Sequence, residues 1–251
     1  MTIAGSDNSA GAGIQADLRT ITSLGGYALT AVTCVVAEVP GKVEAIEAVS
    51  PRLVEAQVRL GFEAFPVGAV KTGMLYSAEI VRAVVGALRD HDVPLVVDPV
   101  MVASSGDPLS EDSAVAAYRE ELIPLATLVT PNLGELAILA GRDIRDFAEL
   151  EAAGKEVAAR SGTAFLLKGG HLAGEIARDV LVTPDGSRQV FEAPFVEDVD
   201  PHGTGCTYSA AIALGLASGL SLGDAINRAK EFITKAIRER HRWGNTEILR
   251  T

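Results

Sequence analysis

The sequence predicts an α/β fold: a central, mostly parallel sheet covered by helices on both faces, with an antiparallel hairpin at an edge. Three observations predict it. Short apolar runs, Tyr27 to Val36, Val67 to Lys71, Leu95 to Asp98, Leu128 to Thr130 and Phe165 to Lys168, recur along the 251 residues. They are too short and too continuously apolar to be half-exposed hairpin strands, and they suit strands buried on both faces. Amphipathic stretches separate them, and strand–helix alternation is the pattern of βαβ units, whose ligands gather outside the carboxyl ends of the strands. The chain is 48% hydrophobic, enough for one large core, so residues 1–251 are expected to form a single domain.

Helix starts punctuate the strands. Ser50-Pro51 offers an N-cap followed by a proline in the first turn, Ser77 caps a second helix, and Asn132 with Glu135 has the spacing of a capping box. Asp179 to Thr183 and Arg188 to Phe195 flank the turn Pro184-Asp185-Gly186-Ser187, which predicts the edge hairpin. A helix over Thr207 to about Ser218, stopped at Gly219, and a last helix over Ser221 to about Arg240 complete the order. The tail from His241 to Thr251 holds the single tryptophan, Trp243, and shows no pattern.

Charge and cysteine use exclude several classes. A formal net charge of −11 argues against nucleic acid or an anionic membrane as partner, since both ask for a basic face. The two cysteines, Cys34 and Cys206, have no metal-ligand spacing. The start Thr2-Ile3-Ala4-Gly5 lacks the basic and apolar regions of a secretory signal, and no apolar run reaches membrane-spanning length. A cytoplasmic location is expected.

Glycine-rich loops at strand ends suggest a phosphate ligand, although no Walker A pattern occurs. Gly11-Ala12-Gly13-Ile14-Gln15-Ala16 fits a relaxed dinucleotide fingerprint, with Glu38 as its ribose carboxylate, but six residues separate its first glycine from where such a strand would end. Close packing at a helix start is the better account of these glycines. The loop His202-Gly203-Thr204-Gly205-Cys206 runs straight into a small-residue helix. Free N–H groups there would form an anion hole, and the helix dipole would favour a Cys206 thiolate able to act as base toward a hydroxyl, or a thiol that orients it. Packing at a helix start is the alternative for Cys206. Asp98, Asn132 and Glu135 suit either magnesium and phosphate binding or turns and caps, and Lys168 either reaches a phosphate or ends a strand. His171 and His202 read as hydrogen-bonding loop residues.

Eight segments then occur in order: Thr2 to Asp7, Gly11 to Leu18, Val70 to Leu75, Asp98 to Met101, Ser105 to Leu109, Thr130 to Asn132, Lys168 to His171 and His202 to Thr207. Together they resemble the hydroxymethylpyrimidine and phosphomethylpyrimidine kinases, of the ribokinase-like superfamily, from residue 2 to about 240. The resemblance implies ATP with Mg2+, and two successive phosphorylations in one site, of 4-amino-5-hydroxymethyl-2-methylpyrimidine and of its monophosphate. It also implies a homodimer. By the same resemblance Gly203, Gly205 and Cys206 form the transfer centre with Lys168, and Gly5, Ala12, Asp17, Glu38, Met74 and Val100 surround the pyrimidine. Asp98, Asn132, Glu135, Lys168 and Thr204 fall to the triphosphate, with Asp98 and Glu135 toward magnesium. Glu38, a Gln or Glu position in that family, would accept from the exocyclic amino group of the ring. The chain departs from the family at Val39-Pro40 and Asp200-Pro201, which bears on substrate range more than on reaction type. A pyridoxine or pyridoxal kinase, a catalytically silent ligand-binding relative and a dinucleotide oxidoreductase are the competing readings.

Overall fold

The computed structural model describes residues 1–101, 112–169, 175–197, 202–244 and 246–251. The segment Ser105 to Leu109, Gly170-His171 and Asp200-Pro201 lie outside these. In chain order the elements are β1 (Thr2–Asp7), α1 (Gly13–Ser23), β2 (Thr30–Val39), β3 (Lys42–Ala48), α2 (Pro51–Ala64), β4 (Val70–Thr72), α3 (Ala78–Leu88) and β5 (Leu95–Val97). Next come α4 (Asp112–Ala117), a π-helical turn (Tyr118–Leu122) and a 3-10 turn (Ile123–Leu125), then β6 (Leu128–Val129), α5 (Leu133–Ala140), α6 (Phe147–Ser161) and β7 (Ala164–Lys168). β8 (Ile176–Val182), β9 (Arg188–Pro194), α7 (Thr204–Ala217), α8 (Leu222–Arg238), β10 (His241–Trp243) and β11 (Thr246–Ile248) finish the fold.

Among the described residues the main sheet has nine strands, in the order β3-β2-β1-β4-β5-β6-β7-β8-β9. The strands from β2 to β7 run parallel, and both edges are antiparallel: β8 and β9 form the expected hairpin on one side, and β3 pairs with β2 on the other. Alternation along the strands divides the core in two. Leu95, Val97, Phe165, Leu167, Val180 and Val182 face a cluster with α2, α3, α5 and α6, while Val96, Leu166 and Leu181 face a second cluster with α7 and α8. That is the period of two that puts successive side chains on opposite faces of a doubly covered sheet. β2 and β4 flank β1 on opposite sides, so the connection reverses direction there and opens a crevice at the carboxyl ends of the strands.

Caps fix where helices begin at that edge. The Ser77 hydroxyl accepts from the Ile80 amide at α3, and at α5 the Asn132 and Glu135 side chains each accept from the other's backbone N–H. Several boundaries differ from expectation: β2 and β4 start three residues later than Tyr27 and Val67, and the shift that bears on the site is at α7. α7 starts at Thr204 rather than Thr207, because Gly203 supplies its cap with a φ of 83°; Cys206 therefore lies inside the first turn. The tail also has structure, β10 and β11 pairing antiparallel. No helix of the described residues is long and apolar enough to cross a membrane.

Candidate active site

The crevice gathers the carboxyl ends of β1, β4, β5 and β7 around the N-terminus of α7. Gly203 makes this approach possible: a Cβ there would lie 1.8 Å from the Gly11 carbonyl oxygen, and its left-handed φ disfavours any side chain. Gly13 is similarly constrained, with a φ of 57° and the Gly5 carbonyl 2.4 Å from where a Cβ would sit. The two glycine-rich loops thus press backbone to backbone. The first intrahelical bond of α7 runs from the Thr207 amide to the Gly203 carbonyl, 2.9 Å, so the N–H groups of residues 204–206 point out along the axis, where an anion is favoured.

Lys168, at the end of β7, stands beside that terminus. Its ammonium lies 3.1 Å from Asp98 Oδ1 and 3.1 Å from a Cβ placed on Gly205. Asp98, 1% exposed, also accepts from Thr130 at 3.1 Å and has the Ser209 hydroxyl 3.3 Å from Oδ2. Burial opposes its charge, but Lys168 and then Lys71 outweigh burial and hold the carboxyl below the ordinary aspartate range. Lys168 is held above its ordinary value, the pull of Asp98 and Glu135 exceeding the effect of burial. Glu135 is pushed up to about 7 by burial, with Lys168 opposing and Asp98 adding. The capping role of Asn132 and Glu135 is therefore real, and Glu135 also stands within the field of Lys168 and Asp98. Asp98 and Glu135 offer hard oxygen donors of the kind magnesium takes, and a nucleotide-borne magnesium uses only one or two protein carboxylates beside water and phosphate, so the donor set fits.

Opposite the phosphate side lies an apolar wall. Met74, Cys34 and Val36 form a small buried cluster that Val100 and Tyr76 join. A Cβ on Gly5 would sit 2.8 Å from Cys34 Sγ and 3.7 Å from Met74 Sδ, so Cys34 packs directly against the Gly5 backbone and leaves no room for a side chain there. Tyr118 fixes Met74 from behind: its hydroxyl donates to the Gly73 carbonyl at 2.9 Å and accepts from the Leu75 amide at 3.2 Å. Thr33 donates to the Met74 carbonyl at 2.7 Å. At the rim, Asp7, half-buried Glu38 and His202 bring donor atoms within 4.8 Å of one another, close enough to share a cation. His202 Nε2 lies 3.0 Å from Asp7 Oδ2, which also accepts from the Ala12 amide at 2.8 Å and from Ser9 at 2.9 Å. Burial raises Glu38, and Asp7 adds to it while His202 opposes.

Asp17 is placed differently from a residue that touches a ligand. It is fully buried, its oxygens 3.0 and 2.9 Å from the Lys71 ammonium, with a short contact from the Thr2 hydroxyl. Burial alone would lower Lys71, and the Asp17 carboxylate overrides it and keeps the ammonium charged. Lys71 is the residue that sequence reasoning left without a role, and it lies within the field of Cys206.

Of the two readings of Cys206, thiolate base or orienting thiol, the surroundings favour the thiol. Burial pushes this thiol up to about 12, further than Lys71 and the Gly13 amide bring it down, although the residue is only partly buried. Cys34 is pushed up to about 11, again chiefly by burial. Both cysteines should resist a thiol-disulfide reagent at pH 8 in the native protein and react in denaturant. A fast native thiol would contradict this.

The model of the phosphomethylpyrimidine kinase family matches residues 7–249. The chain belongs to that family. The kinase is 46% identical over 239 residues to the hydroxymethylpyrimidine/phosphomethylpyrimidine kinase of Rhizobium meliloti, covering 94% of this chain and 89% of that one. It superposes on the phosphomethylpyrimidine kinase of Clostridium difficile with a TM-score of 0.82 at 38% identity, covering 94% of this chain and 97% of that one. The Bacillus subtilis pyridoxal kinase, solved as an ADP complex, gives a TM-score of 0.91 at 35% identity over 99% of this chain and 95% of that one. The ribokinase-like architecture expected from the resemblance is thus shared by relatives of two substrate names. The oxidoreductase reading is set aside.

Proposed function

We propose that this kinase transfers the γ-phosphoryl group of ATP to the hydroxymethyl oxygen of 4-amino-5-hydroxymethyl-2-methylpyrimidine and then to the resulting monophosphate, giving the diphosphate used in thiamine biosynthesis. The observation that supports it most is the N-terminus of α7, which has Lys168 and Asp98 beside Gly205 and the apolar residues Met74 and Val100 in the same crevice. Phosphoryl transfer asks the protein mainly for position and charge neutralisation. The amides of Gly205 and Cys206 hold the migrating phosphoryl oxygens, with Gly203 setting their direction. Lys168 neutralises charge as a point cation. Asp98 and Glu135 would hold Mg2+, which screens the triphosphate when bound, and Asn132 keeps the α5 terminus in place beside them. Gly5, Ala12, Met74 and Val100 receive the ring, Asp17 acts behind them through Lys71, and Cys206 orients the hydroxymethyl group.

Glu38 supplies specificity in this reading. Its half-buried carboxylate accepts from the exocyclic amino group, which pyridoxine and pyridoxal lack. Kinetics with the pyrimidine and with pyridoxine, side by side in wild type, Glu38→Gln and Glu38→Ala, test both points. The expected result is a kcat/KM favouring the pyrimidine, a small loss in Gln and about a tenfold or larger loss in Ala, the scale of one hydrogen bond to a charged group. Preference for pyridoxine, or unchanged pyrimidine kinetics in both variants, would sink the assignment.

A further inference from the structure

The C-terminal hairpin packs against both glycine-rich loops of the crevice. His202, one residue before the cap of α7, makes a parallel backbone bridge to Ile248. A Cβ on Gly11 would lie 2.7 Å from His202 Cδ2 and 3.6 Å from Ile248 Cδ1, so the imidazole and the isoleucine close over that glycine together. Arg19, from α1, ties the same pieces from below: one guanidinium nitrogen donates to the Ala10 carbonyl at 2.9 Å and another to the Leu249 carbonyl at 2.5 Å. Ala10 holds a φ of 59°, a conformation that a non-glycine residue keeps only when its surroundings enforce it. Leu249 is 1% exposed and belongs to the core under α7 and α8. The hairpin is in turn anchored to the end of α8, since Arg240 pairs with Glu247 at 2.7 Å and donates to the Ile237 carbonyl at 3.1 Å.

We infer that residues 246–251, with Arg19, are positioning residues for phosphoryl transfer. They hold the loop from Asp7 to Ala12 and the loop from His202 to Cys206 in one fixed relation, so that the α7 amides and the Cys206 side chain face a substrate seated on β1. One direct link between the loops on the crevice side is the His202–Asp7 hydrogen bond, which rotation of one ring can break. The backbone bridge to Ile248 and the double contact of Arg19 constrain the loops' main chains instead. Misplacement of about 1 Å is enough to cost on the order of a hundredfold in rate.

The inference rests on the kinase reading, and the test separates the two. The 251-residue wild type is compared with a chain ending at Trp243, with Arg19→Ala and with Arg19→Lys, using ATP and the pyrimidine for kinetics and amide hydrogen exchange on the free proteins. The expected result is a kcat lowered about tenfold or more in the truncated chain and in Arg19→Ala. Both KM values should stay within about threefold, as for an interaction felt mainly in the transition state. Arg19→Lys should recover part of the rate. Exchange at residues 203–206 should rise, with β5 and β6 still protected. Unchanged kcat in folded variants, a rise in KM alone, or unchanged exchange at 203–206 would overturn the inference. Should the shortened chain fail to fold, the two Arg19 variants decide. Wild type inactive on the pyrimidine would refute the substrate reading, while the exchange measurements would still judge the buttress.

Discussion

Cys206→Ala is expected to lower kcat about a hundredfold or more while leaving pyrimidine affinity within about threefold, because the thiol acts on the reacting oxygen and contributes little to ring binding. Its position in the first turn of α7 puts it among the amides proposed to receive the phosphoryl group. The form in which it acts follows from its surroundings. A thiol pushed up to about 12 is protonated throughout the working pH range. A thiolate base with that pKa would make kcat rise about tenfold per pH unit from pH 7 to 9. An orienting thiol gives a flat profile there, and the flat profile is expected. The loose transition state of phosphoryl transfer needs little prior removal of the hydroxyl proton, so a thiol suffices. Cys206→Ser should fall between wild type and alanine.

Lys71→Ala is expected to destabilise the fold by about 3–5 kcal/mol, the range for breaking a buried pair. In a chain of 251 residues that corresponds to a fall in Tm on the order of 10 °C. The reason is the partner left behind: Asp17 is fully buried, and without the ammonium its oxygens keep only the Thr2 hydroxyl. The double variant Lys71→Met, Asp17→Asn removes both charges and should recover much of the loss, since an apolar replacement of a buried pair is often close to neutral. A thermal melt of the three proteins checks this, and a double variant no more stable than the single one would contradict it. Stability should drop below wild type even when the pair's neighbours at the crevice are intact, because the pair lies beneath the site and not in it.

The middle of the sheet was legible because β4 to β7 are short apolar runs between capped helices, a pattern that burial on both faces imposes on sequence. β1 was not recognised as a strand: Thr-Ile-Ala-Gly-Ser-Asp is small and weakly β-forming, and it is β1 by virtue of its neighbours β2 and β4. β3 escaped as well, since an edge strand with mostly exposed or half-exposed residues carries polar positions throughout. The short strands β10 and β11 hold too few residues for any period to show. At the site, the glycine loops, Asp98, Lys168 and the capping box were visible as types of residue at strand ends. Their pairings were not. Asp7 meets His202 across 195 positions, Asp98 meets Ser209 across 111 and Asp17 meets Lys71 across 54, and spacing of that kind carries no signal until the sheet order is known. The choice between thiolate and thiol at Cys206 stayed open for a related reason: sequence shows the helix terminus that favours a thiolate but not the burial that opposes it.

The central claim is that phosphoryl transfer takes place at the N-terminus of α7, and a crystal structure with the pyrimidine and a non-hydrolysable ATP analogue tests it most directly. The hydroxymethyl oxygen should lie within about 4 Å of Cys206 Sγ and the terminal phosphate oxygens within about 3 Å of the amides of Gly205 and Cys206, the reach that positioned catalytic groups require. A pyrimidine seated elsewhere, or a terminal phosphate more than about 6 Å from those amides, beyond any hydrogen bond, would contradict the claim.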